Sequence, residues 1–319
     1  MYLITGATGF VGSALVKYLL ANGVNVVAGV RKYSSSLSKA VQQVVVGDLS
    51  ELVEGSSTLN TSLFEGVDTV IHTAARAHIM RDESLDPLNE YRKVNCDATL
   101  SLARLAANAG VKRFVFLSTI KVNGEMTRPG SPFTSGDDFI PKDFIGLSKY
   151  EAEKGLLALA QETEMEVVII RPPLVYGPNV KGNFASMVNW VKKGVPLPLG
   201  AVHNLRSMVA LDNLVDFIAL CADRDRSPKA ANELFLISDN ADVSTSDLLR
   251  KVANACGVRS RLLPVPVGLM RLAAKALGKG AVADRLFGNL QVDSSKARDL
   301  LGWQPKVTMD EALVRMFNF

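Results

Sequence analysis

Residues 2–12 read YLITGATGFVG, a short apolar run followed by glycines at positions 6, 9 and 12. Residues 2–5 predict a buried strand. Residues 10–21, with Val11, Leu15, Tyr18 and Leu19 at helical spacing, predict a helix directly after the loop. In this context each glycine has a separate task. Gly6 permits a tight turn, Gly9 lets backbone approach a pyrophosphate, and Gly12 lets the helix pack against the sheet. The helix start then offers N–H groups and a partial positive charge to phosphate. The expectation is a Rossmann-type dinucleotide site. The spacing is GxxGxxG rather than GxGxxG, so a plain strand–helix turn is the competing reading and the flanking sequence must decide.

Further strands are predicted at 25–30, 44–46, 67–72, 113–118 and 166–171. Helices are predicted at 90–109, ended by Gly110, and at 147–163. Such alternation implies an α/β fold, a doubly wound parallel sheet covered on both faces. Val30 ends the second strand where an acid would hold a ribose 2′-hydroxyl, and Arg31 and Lys32 follow. Basic residues there suit a 2′-phosphate, so NADP is favoured over NAD, against the competing reading of a solvated basic turn. Asp48, after the third strand, can accept from an adenine amino group. Thr73, Ala74 and Ala75, after the fourth, leave room for a cofactor.

Beyond Arg171 the pattern changes. Pro172, Pro173, Gly177, Pro178, Gly182, Pro196, Pro198 and Gly200 predict an irregular stretch. Helices are expected again at 212–221, 246–256, 267–277 and 294–301. The expected division is a dinucleotide domain over 1–170 and a smaller substrate lobe over 171–319, with some segments crossing back.

The chain has 319 residues, 48% hydrophobic and 21% charged, with a net charge of +4. This is a globular balance. No Lys/Arg run points to nucleic acid, and no apolar run is long enough to span a membrane. The N-terminal residues lack a basic region and a cleavage site, so no signal peptide is expected. Cys96, Cys221 and Cys256 lie far apart with no histidines at ligand spacing. They read as reduced, buried thiols of a cytoplasmic protein with no metal site. His72 and His78 lack a neighbouring nucleophile and read as structural, and His203 as a loop residue.

TGATGFVG, GDL at 47–49, IHTAA at 71–75, Asn95, Ser118-Thr119, GLSK at 146–149, RPPLVYGP at 171–178 and LGWQP at 301–305 follow one another over nearly the whole chain. In order and spacing they resemble the extended short-chain dehydrogenase/reductase family. Within it the chain is most similar to nucleotide-sugar epimerases of the UDP-glucose 4-epimerase type. It also resembles UDP-N-acetylhexosamine 4-ketoreductases that make 6-deoxy sugars for surface polysaccharide. The resemblance implies cofactor contacts from Gly6, Thr8, Gly9, Phe10, Val11, Gly12, Arg31, Lys32, Asp48, Leu49, Thr73, Ala74, Ala75, Asn95, Lys149 and Pro172. It implies substrate contacts from Thr119, Asn183, Phe184, Leu197, Arg206 and Arg285, the two arginines suiting a diphosphate. The implied ligand is a UDP-hexose or UDP-N-acetylhexosamine. Helices starting near 90 and 147 form a dimer interface in many relatives, and Leu100, Leu102, Leu105, Leu156 and Leu157 are candidates for that or for core packing.

Hydride transfer at sugar C4 requires moving a proton on the C4 oxygen. The family uses a tyrosine, a lysine four residues later and a Ser or Thr. Here Lys149 and Thr119 fill two of the slots, and Ile145 fills the tyrosine slot. Isoleucine has no proton to give. Tyr176 and a water held by Lys149 and Thr119 are the candidate substitutes. Either the chain is an enzyme scaffold with its phenol replaced, or its lineage kept binding and became an NADP(H)-sensing or scaffold protein. Both readings predict little or no turnover.

Overall fold

The computed structural model describes residues 1–52, 61–77, 84 and 86–317. The first seven strands are β1 Tyr2–Thr5, β2 Val26–Val30, β3 Gln42–Val45, β4 Thr69–His72, β5 Arg113–Leu117, β6 Glu166–Arg171 and β7 Leu174–Tyr176. Two more follow, β8 Met208–Ala210 and β9 Glu233–Leu236. Seven of them form one sheet in the order β3-β2-β1-β4-β5-β6-β9, with every pairing parallel. Strands β7 and β8 pair separately. The order reverses between β1 and β4, so the loops at the carboxyl ends of these two strands open a crevice.

Helix α1 is Phe10–Ala21, as the spacing predicts. The predicted helix 90–109 is instead three consecutive pieces: α2 Pro87–Arg92, a π-helical turn Lys93–Asp97, and α3 Ala98–Asn108. One wide turn leaves hydrophobic periodicity nearly unchanged, so spacing does not reveal it. Helix α4 is Phe144–Glu162, starting three residues before the predicted edge because Asp143 caps it, accepting from the Gly146 N–H at 3.1 Å. The remaining helices are α5 Gly182–Lys192, α6 Leu211–Ala222, α7 Thr245–Ala255, α8 Val267–Ala276, α9 Gly280–Phe287, α10 Ser295–Leu301 and α11 Met309–Phe317. The stretch after Arg171, expected to be irregular, therefore contains α5. Its flanking glycines and prolines mask a helix whose Phe184, Val188 and Val191 face a core.

The three largest apolar cores hold these layers. One face of the sheet packs Ile4, Ile71, Val115 and Val168 against α1 and α6. The other packs Leu3, Val70, Phe114 and Val167 against α3 and α4. Leu102 and Leu156 are fully buried in this second core, and Leu100, Leu105 and Leu157 pack on it while only partly buried. The third core lies in the later half, around Tyr176, Phe184, Leu197, Leu249 and Leu313. Strand β9, which follows α5 and α6 in the chain, returns to the edge of the large sheet beside β6.

Candidate active site

At the carboxyl end of β1, Gly6 takes φ +72°, and a Cβ there would lie 2.6 Å from the Ala74 nitrogen. A Cβ on Gly12 would lie 2.2 Å from the Gly6 carbonyl oxygen. These contacts press α1 against the loop and against the end of β4. Gly9 precedes α1 with no side-chain cap, and the first turn carries no acid, so its N–H groups remain for an external anion. The loop fits a dinucleotide pyrophosphate: side chains are sterically excluded at Gly6 and Gly12, which leaves the backbone there bare.

The crevice encloses about 500 Å³ and is lined by Gly6, Thr8, Gly9, Arg31, Asp48, Leu49, Thr73, Ala74 and Ala75 among the expected residues. Thr5, Gly29, Val30, Val46, Gly47, Arg76, Ala77 and Val94 line it as well. Arg76 was missed although a cation directly after IHTAA was the available signal. Asp48 accepts from the Ser50 N–H at 3.0 Å and its hydroxyl at 2.8 Å, which holds its carboxyl below the usual range, with Arg31 assisting. The remaining residues expected at the cofactor do not line this crevice. Phe10 and Val11 turn their side chains onto the core, leaving only first-turn backbone for a ligand. Lys32 is exposed beyond the crevice lining. Asn95 is fully buried on the π-helical turn, where it accepts from the Arg76 N–H at 2.8 Å and donates to the Arg76 carbonyl and to Ser148 Oγ. It braces the crevice wall rather than lining it. The Pro172 carbonyl accepts from the Ile120 N–H at 3.0 Å.

Across the switch point, His72 ends β4 with both ring nitrogens engaged, Nδ1 with Thr5 Oγ1 at 2.6 Å and Nε2 with Thr99 Oγ1 at 3.0 Å. Burial, and then the charge of Lys149, push it down to about 3, so it is neutral near pH 7. His78 lies outside the described residues. Lys149 is buried on α4, and its Nζ donates to the Leu117 carbonyl at 2.9 Å and sits 4.2 Å from the Phe116 ring centre. Burial draws its ammonium down to about 7, with Glu153 opposing. Two residues past Leu117, Thr119 begins a 3-10 turn and its partly exposed hydroxyl accepts from the Lys121 N–H. Lys121 Nζ pairs with the capping Asp143 at 3.0 Å, which ties this turn to the start of α4. Ile145 is half-buried in that first turn, and its carbonyl accepts from Ser148 Oγ at 3.0 Å. Gly146 follows where a Cβ would lie 2.6 Å from Asp143 Oδ2, so the position of Ile145 is held by its neighbours.

Beneath this end lies a buried network that the sequence did not reveal. Arg171 Nε donates to both Glu153 oxygens at 3.0 and 3.2 Å, Ser118 Oγ donates to Glu153, and Arg171 Nη1 donates to Asn123 at 2.8 Å. It joins the ends of β5 and β6 to α4. Tyr176, the candidate substitute acid, is fully buried in the later lobe, and its hydroxyl donates to Asp239 at 2.7 Å. Burial and Asp239 both push its phenol far up, which removes it from proton transfer.

In the later half, Arg206 and Arg285 meet: Arg206 Nη1 donates to the Arg285 carbonyl at 2.7 Å. Arg285 reaches Glu125 of the earlier half at 2.9 Å. Asn183 is exposed at the start of α5. Phe184 and Leu197 turn their side chains into the third core. Phe184 packs 6.0 Å from the Tyr176 ring inside the third core, and Leu197 is buried there too, with its backbone paired to Arg261 and Leu263. The three thiols are free; Cys96 and Cys221 are buried, and Cys256 is only partly so. No group of residues suited to holding a metal occurs among the described residues.

A glycine loop at the switch point of a doubly wound sheet defines a protein of the Rossmann dinucleotide-binding class. The chain belongs to the NAD dependent epimerase/dehydratase family, whose model matches residues 2–234. It is 47% identical over 311 residues to a UDP-glucose 4-epimerase of Vibrio cholerae, covering 97% of this chain and 92% of that one. The fold matches the crystal structure of UDP-glucose 4-epimerase with UDP-glucose from Thermotoga maritima, with TM-score 0.78, 23% identity, and coverage of 99% of this chain and 97% of that one. It also matches MoeE5 in complex with UDP-glucose and NAD, with TM-score 0.75, 25% identity, and coverage of 99% and 97%.

Proposed function

We infer that the chain is a nucleotide-sugar 4-epimerase scaffold for a UDP-hexose whose proton-transfer step is impaired by Ile145. The observation that carries this reading is Lys149: a buried amine fixed on the Leu117 carbonyl, two residues from Thr119, in a family whose members act on nucleotide sugars. The glycine loop and the walls carrying Arg31 and Asp48 would hold the dinucleotide, and the lobe after residue 171 would hold the sugar nucleotide, with Arg206 and Arg285 at its diphosphate. When bound, the nicotinamide cofactor supplies the hydride acceptor and donor. Lys149, whose amine is drawn down to about 7, carries its positive charge only in part near neutral pH, and Thr119 Oγ1 orients the C4 oxygen. Neither stands where the phenol would: that position is Ile145, which has no proton to take or return, and Lys149 Nζ is held on the Leu117 carbonyl. Arg31 on the crevice wall supports a preference for NADP over NAD, since a guanidinium pairs well with a 2′-phosphate.

The test is Ile145→Tyr, assayed with UDP-glucose and UDP-N-acetylglucosamine and with each cofactor. Restoring a general acid–base should raise turnover by about 10²- to 10⁴-fold. Rapid turnover by the unaltered chain, not exceeded by the variant, would overturn the impairment. Binding of sugar nucleotide without any gain would favour the sensing or scaffold role.

A further inference from the structure

Helices α8 and α9 form a hairpin on the later lobe, joined by residues 277–279 and by an Arg271–Asp284 ion pair at 3.3 Å. Its inner face is settled: Val267, Met270, Leu286 and Phe287 pack on the third core. Its outer face is not. Leu269, Leu272, Leu277 and Val282 are 61%, 67%, 73% and 61% exposed, which is far above ordinary for large apolar side chains. Leu269, Leu272, Ala273 and Ala276, all exposed, recur at helical spacing and form a stripe along α8.

The surrounding charge is one-sided. Residues 259–285 contain Arg259, Arg261, Arg271, Lys275, Lys279 and Arg285 against a single acid, Asp284. That excess of five is larger than the whole chain's +4, so the rest of the molecule is slightly acidic. An apolar stripe edged by Lys and Arg is the pattern of a helix that lies in the plane of a membrane interface. No helix among the described residues is long and apolar enough to cross a membrane, and α8, at about 1.5 Å per residue, is far too short to do so. A second copy of the same face is a poor partner, since it would set Lys275 and Lys279 of one copy against those of the other.

We propose that the α8–α9 hairpin docks this chain on an anionic phospholipid surface. Leu269, Leu272, Leu277 and Val282 enter the headgroup–acyl boundary, while Lys275 and Lys279 meet lipid phosphates. The hairpin is tied to the substrate lobe at both ends, through Leu263 on Leu197 and through the Arg285 carbonyl on Arg206. Docking therefore holds the arginine pair next to the membrane, whichever sugar the site takes.

The test is co-sedimentation of the full chain with vesicles of phosphatidylcholine containing roughly one third phosphatidylglycerol, against vesicles of phosphatidylcholine alone. Binding should require the anionic lipid and weaken in about 1 M salt, where the Debye length is about 3 Å. It should fall about tenfold or more in Leu269→Glu/Leu272→Glu and in Lys275→Glu/Lys279→Glu. These side chains are exposed, so circular dichroism and UDP-glucose binding should remain unchanged, which separates lipid docking from the sugar-nucleotide reading. No sedimentation with the anionic vesicles would overturn the proposal, as would equal sedimentation of the variants. A concentration-dependent dimer in ultracentrifugation, abolished by the leucine variant without any vesicle binding, would instead make the face a contact between copies and also overturn it.

Discussion

At single positions the structure turns local chemistry into measurable pH and affinity effects. His72 is held near 3 in the folded chain, while an unfolded histidine titrates near 6.5. Between these values unfolding takes up a proton, so stability falls as pH drops, by up to about 1.4 kcal/mol per pH unit. Urea unfolding at pH 7 and pH 5 should show this slope, and His72→Asn should flatten it; an equal slope in the variant would refute the assignment. Lys149 acts in a higher window. Its folded value near 7 lies below the unfolded value of about 10.4, so stability rises with pH between them, and Lys149→Met should remove that rise. Gly12→Ala places a methyl 2.2 Å from the Gly6 carbonyl. It should cost about 1–3 kcal/mol and abolish tight NAD or NADP binding by titration calorimetry. The glycines were legible because their steric requirement belongs to the residue itself. The fate of Phe184 and Leu197 was not, since an aromatic or leucine facing a ligand and one facing a core have the same composition and spacing.

Helix α4 carries Ile145 and Lys149, and its placement depends on partners distant in sequence. Asp143 caps it and pairs with Lys121, whereas Glu153, one turn beyond Lys149, takes up Arg171 and Ser118. Removing one member of a buried ion pair leaves the other charge uncompensated. Glu153→Leu should therefore cost about 3–5 kcal/mol in urea unfolding, and Asp143→Ala only about 1–2 kcal/mol. Equal losses would contradict this ranking. Nothing in the sequence joins Glu153 to Arg171; the contact exists because β6 runs beside β5 under α4. The π-helical turn at Lys93–Asp97 was hidden for a related reason. It aims Asn95 at Arg76 and Ser148 while the flanking helices keep their ordinary hydrophobic spacing.

For the whole molecule, the alternation of strands and helices made the sheet legible through β6. The seventh strand was not, because four residues within a mixed stretch carry little periodicity. Yet β9 covers the far edge of β6, whose Val168, Ile169 and Ile170 are fully buried. A chain ended after residue 232 should leave that edge bare, and size-exclusion chromatography should show aggregates rather than a free dinucleotide domain. The same return of the chain sets a clock during synthesis. About sixty residues separate β6 from the strand that closes it, and at roughly 5–20 residues per second the ribosome needs several seconds to supply them. Throughout that interval an apolar strand edge stands open beside the exit tunnel, so yield in the cell depends on what shields the nascent chain as well as on the final fold.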